Sequence, residues 1–498
     1  MKKLTGAMAL WLASCGSVAA SAEPAAYELT FGADQPLVAH VVARVTLNEQ
    51  VLRMAAWGHP YLPRGWATFV DELEITNEEG SSVDFSEAEE GTWGAWNVQA
   101  GSGERLHLSY DVHFTHDQYD WNDAGGQDSR PSLTNGALFL VTKALFIYSP
   151  GFSPGEESAE VLINKPDDWL VSSPWPASTG NDDSFFVGSW ISLVNNALVV
   201  GKHHQRTIED GDMTIVLAVD RELYKSLDLF EQTFRKQLGA YRDLFGGTPE
   251  TQYLVTIRTA NEDDGESFEN SFNQVITPGR IAARSIVWAN TMGHELFHYF
   301  NGNHVLIGLE KSTIEWFGEG FTEYYASLTL LRTGLIDEAL WFRKLERYLA
   351  RYVISTRMWP VDRLSLVDAG QDKHRNWLLI YGGGATMALA LDIEIRAATQ
   401  GARGLDQVMR RLKDEFGAPG SRYTVNDILA AVNHVSGNDF TTFFDTHVKG
   451  SEGHLDIVGT LRKAGLNVEQ FADEFYLSRS EQPTPLQVEI YRGITMVD

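Results

Sequence analysis

The sequence predicts a multidomain α+β protein: an N-terminal antiparallel β-sandwich-like domain, a central α+β domain and a C-terminal α-helical domain. A chain of 498 residues with 43% hydrophobic content can fill several cores. Apolar residues alternate with a period of two up to about residue 219, whereas helical periodicity dominates after residue 334. We therefore expect domains at residues 23–219, 220–335 and 336–498.

Runs of β-branched and aromatic residues in the N-terminal half are separated by clusters of Gly, Asn, Asp and Pro. This pattern predicts antiparallel strands, and four of the runs are 38–47, 105–114, 137–147 and 185–200. Strand spacing does not gather three of the histidines found here onto one metal, so we expect surface or packing roles for them. These histidines are His113, His116, His203 and His204.

The first 22 residues contain two lysines, a short apolar run and small residues near the end, the pattern of a bacterial secretion signal rather than a spanning helix. Two cleavage patterns fit. Residues 20–22 suit an ordinary signal peptidase, whereas residues 12–15 resemble a lipobox that would make Cys15 a lipidated N-terminus. We expect an exported protein, either periplasmic or secreted, or anchored to the envelope as an outer-membrane lipoprotein. Cys15 is the only cysteine, so no internal disulfide can form.

The chain is strongly acidic. Its formal net charge is −27, and removal of the leader with Lys2 and Lys3 changes this to −29. A surface of this charge disfavours nucleic acid and anionic lipid as partners. We also expect no transmembrane helix after residue 22.

The central domain contains the segment His294-Glu295-Leu296-Phe297-His298, inside a helical pattern over residues 288–300. Residues four apart share one face of a helix, so His294 and His298 can bind one metal ion while Glu295 projects beside it as a base. A catalytic zinc site has three protein ligands and one open position. A third ligand must therefore come from elsewhere in the chain.

Glu319 provides that ligand, 21 residues after His298, in a second helical pattern over residues 313–333. One turn later on the same face, Glu323 can accept the other N–H of a ligating histidine and so orient its ring. Two imidazoles and a carboxylate suit one zinc ion per chain, and cobalt or manganese accepts the same donors.

The pairing of HELFH with WFGEGFTEYY resembles the gluzincin aminopeptidases, and within them the glycyl aminopeptidase family, family sixty-one of the metallopeptidases, which is related to the alanyl aminopeptidases. Further matches at residues 52–67, 243–257 and 381–412 extend the resemblance over nearly all of the chain after the leader. The resemblance implies a thermolysin-like zinc catalytic domain at residues 220–335.

The resemblance also implies roles for three further residues. In the related families a G-x-M-E-N or G-G-L-E-H motif binds the α-ammonium of the substrate, and residues 266–270 align with it, so Glu269 is implied as the amine-binding carboxylate. Glu266 stands where glycine is usual; its side chain either crowds the substrate backbone or supplies a second anionic contact. Tyr381 matches the tyrosine of a Y-x-K-G motif that contacts the oxyanion, although Gly383 replaces the lysine.

These features together predict an exported zinc aminopeptidase that acts on peptides with a free N-terminus, with Glu295 as the general base. A thermolysin-like zinc endopeptidase is an alternative, because it needs no amine-binding carboxylate. A non-catalytic, peptide-binding envelope protein with the same fold is a third hypothesis.

Overall fold

The computed structural model describes residues 24–55, 62–88, 94–119, 121, 126–150, 158–248, 251–279, 281, 285–358 and 363–496. The predicted leader, residues 1–22, and Cys15 lie outside the described residues.

The N-terminal region is β-rich and forms three sheets. Its elements are β1 (Ala25–Phe31), β2 (Val38–Thr46), β3 (Val51–Met54), β4 (Pro63–Trp66), β5 (Val70–Asn77), β6 (Phe85–Glu87), β7 (Ala95–Val98), β8 (Arg105–His113), β9 (Ser132–Thr134), β10 (Ala137–Val141), β11 (Ile147–Tyr148), β12 (Ala159–Asn164), β13 (Leu170–Ser172), β14 (Ala177–Ser178), β15 (Asn181–Val187), the short helix α1 (Trp190–Val194) and β16 (Ala197–Gly201). The strand orders of the three sheets are β14-β15-β12-β1-β2-β8-β5, β13-β16-β10-β9 and β11-β3-β7-β6.

Alternation of buried and exposed residues produces these sheets, as the sequence predicted. Strand β2 alternates almost perfectly along its length, which leaves one face for the core and one for solvent. One pairing differs from the expected antiparallel arrangement, because β1 runs parallel to β12. The two strands are far apart in sequence, so nothing local specified their relative direction.

A fourth sheet follows, with strand order β17-β18-β19-β21-β20. Helices pack against it and carry the candidate site. The elements are β17 (His204–Asp210), β18 (Met213–Val219), α2 (Leu227–Phe245), β19 (Thr251–Thr259), β20 (Asp264–Ser267), β21 (Ser271–Ile276), α3 (Ser285–Phe300) and α4 (Lys311–Arg332).

The sheet pairing divides the chain earlier than the predicted boundary at residue 219. Strands β17 and β18 pair with each other, and β18 runs parallel to β19 in the fourth sheet. Period-two alternation identifies a strand but not the sheet that it joins, so residues 204–219 were grouped with the strands before them. No break in the core marks the predicted boundary at residue 335, because one continuous apolar core extends from Ile208 to Ile494.

The described residues after α4 are mainly helical, with a hairpin that the sequence pattern did not predict. The elements are α5 (Glu338–Val353), α6 (Leu366–Ala369), a π-helical turn (Leu378–Gly383), α7 (Gly384–Ala398), α8 (Leu405–Phe416), α9 (Val425–Ser436), α10 (Thr441–His447), α11 (Ile457–Lys463), β22 (Leu466–Phe471), β23 (Glu474–Arg479) and α12 (Pro485–Thr495).

Among the described residues, the segment Leu378–Ala398 is long and apolar enough to cross a membrane by length and composition alone. However, 83% of its 18-residue window is buried inside the protein. It therefore serves as a core helix in this fold.

Helices α4 and α7 cross at two glycines. A Cβ atom added to Gly320 would lie 2.3 Å from Cα of Gly384, and one added to Gly384 would lie 2.3 Å from the carbonyl oxygen of Trp316. The backbones can approach this closely only because neither residue has a side chain. The crossing places Glu319 beside the turn that carries Tyr381.

Candidate metal centre and active site

Two neighbouring helices supply the predicted metal ligands. Helix α3 carries His294 and His298 one turn apart, and α4 packs against it with Glu319 facing the same point. His294 and Glu319 are buried, at 8% and 6% exposure. The i, i+4 spacing within α3 and the return of the chain through a short connection bring the three side chains together.

The ligand atoms of this group have the separations that a tetrahedral metal requires. Nε2 of His294 lies 3.1 Å from Nε2 of His298, and Oε2 of Glu319 lies 3.3 Å and 3.2 Å from these two nitrogens. Three corners of a tetrahedron with bonds of about 2.0 Å are roughly 3.3 Å apart. These residues could therefore hold one divalent metal ion.

The hydrogen bonds around the imidazoles agree with this assignment. Nδ1 of His298 lies 3.3 Å from the carbonyl oxygen of Asn301, which can only accept a hydrogen bond, so Nδ1 carries the proton. Nδ1 of His294 similarly faces Oε2 of Glu323 at 3.2 Å. In neutral imidazoles of this tautomer both Nε2 atoms present lone pairs to Glu319, and only a cation between them satisfies all three groups.

The charges of the site favour a cation at the same point. Burial alone would lower the pKa of His294, but its hydrogen bonds to Glu319 and Glu323 outweigh burial and raise the pKa to about 10. Burial alone would raise the pKa of Glu319, but Lys373 and His298 hold it well below its usual value. The carboxylates thus stabilise positive charge here, which a proton or a metal ion can supply.

Glu295 lies beside the ligand group, buried at 6% exposure. Burial raises its pKa, although the two nearby histidines oppose that effect. Strand β20 passes close to it: a Cβ atom on Gly265 would lie 2.8 Å from Cγ of Glu295 and 2.8 Å from Cγ2 of Thr291. Glycine at this position lets the strand border the same cavity as the base.

A cavity that opens to solvent contains the group. Its wall includes all three ligand residues, Glu295, Tyr381 and the strand residues Gly265–Ser267. A metal-binding group, a carboxylate base and the edge of a sheet thus face one solvent-filled space. This arrangement suits hydrolysis of an extended peptide laid along the strand.

Two family models match the chain. The Peptidase M61 N-terminal domain matches residues 26–202, and the M61 glycyl aminopeptidase model matches residues 287–378, the range that contains the ligand group. Together they cover more than half of the chain. The chain belongs to the M61 glycyl aminopeptidase family. It is therefore a peptidase of a metallopeptidase family, as its motifs implied. The first match ends at residue 202, just before β17, in agreement with the sheet pairing.

The fold of this M61 chain is also found in a crystal structure of an aminopeptidase N family protein from Idiomarina loihiensis. The two share 19% sequence identity with a TM-score of 0.72, over 90% of this chain and 79% of the other. This similarity confirms the multidomain α+β, aminopeptidase-like fold. No curated protein sequence matches the chain.

Tyr381, which the resemblance implies as the oxyanion contact, is close to the metal ligands. It lines the cavity, and its ring stacks 6.0 Å from the ring of His294. Burial and the nearby charge of Glu319 raise its pKa well above the usual value, so its hydroxyl keeps its proton and can donate. The π-helical turn Leu378–Gly383 presents it to the site just before the glycine crossing of α4 and α7.

The structure separates the two glutamates that were implied to bind the substrate amine. Glu266 lies on β20 and lines the cavity. Glu269 does not: it belongs to the turn between β20 and β21 and lines a neighbouring cavity, which shares Asn303 and Ile307 with the first. Its backbone N–H donates to the carbonyl of Asn195 at 3.1 Å, and burial raises its side-chain pKa. Strand β20 ends at Ser267, so Glu269 lies in the turn after the strand, and its implied role in amine binding stays a prediction.

Sequence reasoning missed two lysines at the site. Lys143 of the N-terminal region pairs with Glu266 at 3.1 Å while only 5% of its side chain is exposed, and it lies 5.1 Å from the ring of Trp66. Lys373 contacts Glu319 and lines the cavity. Neither lies in a motif, and 123 and 54 residues separate them from their partners. No local signal could have found them.

Proposed function

We propose that this protein is an exported zinc aminopeptidase that removes N-terminal residues from peptides. The observation that carries the proposal is the convergence of His294, His298 and Glu319 on one point of the cavity that Glu295 also lines. The ligand set suits zinc, and the matched family is described as a glycyl aminopeptidase. The secretion pattern of residues 1–22 supports export to the periplasm or the envelope, with Cys15 as a lipid anchor if the lipobox is used.

Glu295, Tyr381 and Glu323 each have a distinct role in this reaction. When bound, zinc acts as a Lewis acid and makes water a nucleophile near neutral pH. Glu295 accepts a proton from the attacking water and passes it to the leaving amine, so that the C–N bond breaks after the C–O bond forms. The hydroxyl of Tyr381 donates a hydrogen bond to the carbonyl oxygen as negative charge develops on it. Glu323 keeps the ring of His294 in the required orientation.

Glu266 is the residue on β20 that we assign to the substrate amine. Its carboxylate lies at the cavity wall with a third of its side chain exposed, so a substrate ammonium can reach it. A charge-assisted contact of this kind is worth roughly 1.5–3 kcal/mol where water is excluded. That difference is enough to favour free N-termini over internal peptide bonds.

One observation favours the endopeptidase as a second candidate. The ammonium of Lys143 already neutralises Glu266, at 3.1 Å and 3.4 Å from its two oxygens. A neutral pair attracts a substrate amine less than a free carboxylate does. An enzyme without amine selection would cut blocked peptides as well as free ones.

Peptides with free and acetylated N-termini distinguish the candidates. The mature protein, supplied with zinc, is compared with Glu295→Gln on one short peptide series, and cleavage products are identified by mass. We expect only free peptides to be cleaved, one residue at a time, and no cleavage by the variant. Equal cleavage of both forms would indicate an endopeptidase. Absence of cleavage by zinc-loaded protein would indicate a peptide-binding protein.

A further inference from the structure

Lys373 is a charged residue of the cavity to which the reaction above gives no role. It follows the short helix α6 and a 3₁₀ turn at Gly370–Asp372, in a segment that packs closely on α4. A Cβ atom on Gly370 would lie 1.9 Å from the carbonyl oxygen of Ser312. This close approach holds the segment against the helix that carries Glu319. The backbone from which the Lys373 side chain extends into the cavity is therefore fixed in position.

The ammonium of Lys373 contacts one oxygen of the third ligand residue. Nζ lies against Oε1 of Glu319 and 3.9 Å from Oε2 of Glu315. The other oxygen of Glu319, Oε2, faces both histidine nitrogens. Lys373 therefore fixes the rotation of the carboxylate, so that a single oxygen points at the metal position.

The same ammonium also contacts Tyr381. Nζ lies 5.8 Å from the centre of the tyrosine ring. The positive charge of an ammonium group this close favours the orientation in which the hydroxyl oxygen, and not its hydrogen, faces Lys373. The hydrogen of that hydroxyl then points away from Lys373 and is free to donate into the cavity. One lysine thus orients a ligand residue and the hydroxyl that we assign to the oxyanion.

We propose that Lys373 is a positioning residue of the reaction: it holds Glu319 by one oxygen and directs the hydroxyl hydrogen of Tyr381 toward the substrate carbonyl. The proposal rests on the peptidase function proposed above. Its effect is expected in the chemical step, because neither contact reaches the part of the cavity where Glu266 receives the substrate amine.

The test compares Lys373→Met, which keeps the length of the side chain, with Lys373→Arg, which keeps its charge. Lys463→Met is the matched control, because Lys463 also pairs with a glutamate, Glu394 at 2.7 Å, outside the cavity. In saturating zinc we expect one zinc per chain in every variant. In Lys373→Met we expect kcat to be about 10–100-fold lower than in the wild type and KM to stay within about threefold of the wild-type value. Lys373→Arg should retain much of the wild-type kcat.

Two further readouts separate positioning from a merely structural role. A peptide phosphonate mimics the tetrahedral oxyanion, so its binding to zinc-loaded Lys373→Met, measured by calorimetry, should weaken about as much as kcat falls. In a double-mutant cycle, Lys373→Met should have far less effect when Tyr381 is already phenylalanine.

Several results would overturn the proposal. The first is an unchanged kcat in Lys373→Met, and the second is a loss of activity fully explained by lost zinc. The third is a double variant whose fall in kcat equals the product of the separate falls caused by Lys373→Met and Tyr381→Phe. If Lys373→Met does not fold, Lys373→Arg and Lys373→Gln replace it in the same double-mutant cycle with Tyr381→Phe. Inactive wild-type protein would overturn the peptidase function itself, whereas active wild type with an equally active Lys373→Met would overturn only the role of Lys373.

Discussion

Nδ1 of His294 lies 3.2 Å from Oε2 of Glu323, and this carboxylate is held in place by three other donors. Nζ of Lys344 and the hydroxyl of Tyr348 both lie 3.0 Å from its Oε1, and the amide of Asn290 lies 3.2 Å from its Oε2. Lys344 and His294 keep the pKa of Glu323 well below its usual value despite burial, which alone would raise it. Glu323 is thus an ionised, immobilised acceptor that orients a metal ligand.

Substitution of Glu323 should therefore weaken metal binding. We expect Glu323→Gln to bind zinc about 10–100-fold less tightly, because the amide cannot provide the charge that orients and polarises His294. Competition with a chromogenic chelator measures the affinity. Glu394→Gln, a change of the same kind outside the cavity, should match wild type. Equal affinity in both variants would show that Glu323 does not support the site.

Substitution of Glu295 should separate metal binding from turnover. Glu295 is not part of the ligand group, so Glu295→Gln should keep one zinc per chain while kcat falls about 10²–10⁴-fold. Zinc is measured by elemental analysis of the same sample used for kinetics. A fall in zinc content parallel to the fall in kcat would contradict the assignment of Glu295 as the base.

The two glutamates near the hairpin provide a matched pair for amine recognition. Glu266→Gln should raise KM for free peptides about tenfold or more and leave acetylated peptides unaffected, because the lost contact is to the ammonium. Glu269→Gln should leave KM unchanged, since Glu269 lines a different cavity. A larger effect from Glu269→Gln than from Glu266→Gln would restore the role that the motif implied.

The glycine crossing of α4 and α7 should be sensitive to one methyl group. Gly320→Ala would place Cβ 2.3 Å from Cα of Gly384, so we expect the free energy of unfolding to fall by about 1–3 kcal/mol or more. Gly318→Ala on the same helix meets nothing within 4 Å and should be neutral or stabilising by up to about 1 kcal/mol. Urea denaturation compares the two. Similar values for both would show that the helices can move apart at little cost.

Stability should depend on pH through His116, which is fully buried among aromatic rings. Its ring stacks 3.7 Å from that of Phe69, and its nitrogens have no hydrogen-bond partner among the described residues. Burial, assisted by Arg130, lowers its pKa to about 3. Between pH 6.5 and 3 the unfolded chain binds a proton here that the folded chain does not, so the free energy of unfolding falls as pH falls.

The contribution is about 1.4 kcal/mol per pH unit, or roughly 2 kcal/mol between pH 6.5 and 5. His116→Phe should remove this slope, whereas His434→Phe, at an exposed position, should keep it. Urea titrations of the three proteins at several pH values make the comparison. An unchanged slope in His116→Phe would show that His116 takes up its proton in the folded state.

Much of the fold class and the metal group could be predicted from the sequence. Alternation with a period of two predicted the N-terminal strands, and β2 and β8 begin at the expected residues. Helical spacing predicted that His294 and His298 share a face and that Glu323 follows Glu319 by one turn. These features depend on backbone geometry that repeats over a few residues, so the sequence alone carries them.

Other features were decided only by the tertiary structure. Glu269 lies in the turn after β20 rather than on the strand, Lys143 reaches Glu266, and Lys373 reaches Glu319. The assignment of β17 and β18 to the fourth sheet was also decided by the tertiary structure. The sequence by itself determined the elements and the local spacing of the metal ligands. Only the tertiary structure determined which distant charges meet at the cavity, because such contacts arise from the packing of buried surfaces and leave no periodic pattern in the chain.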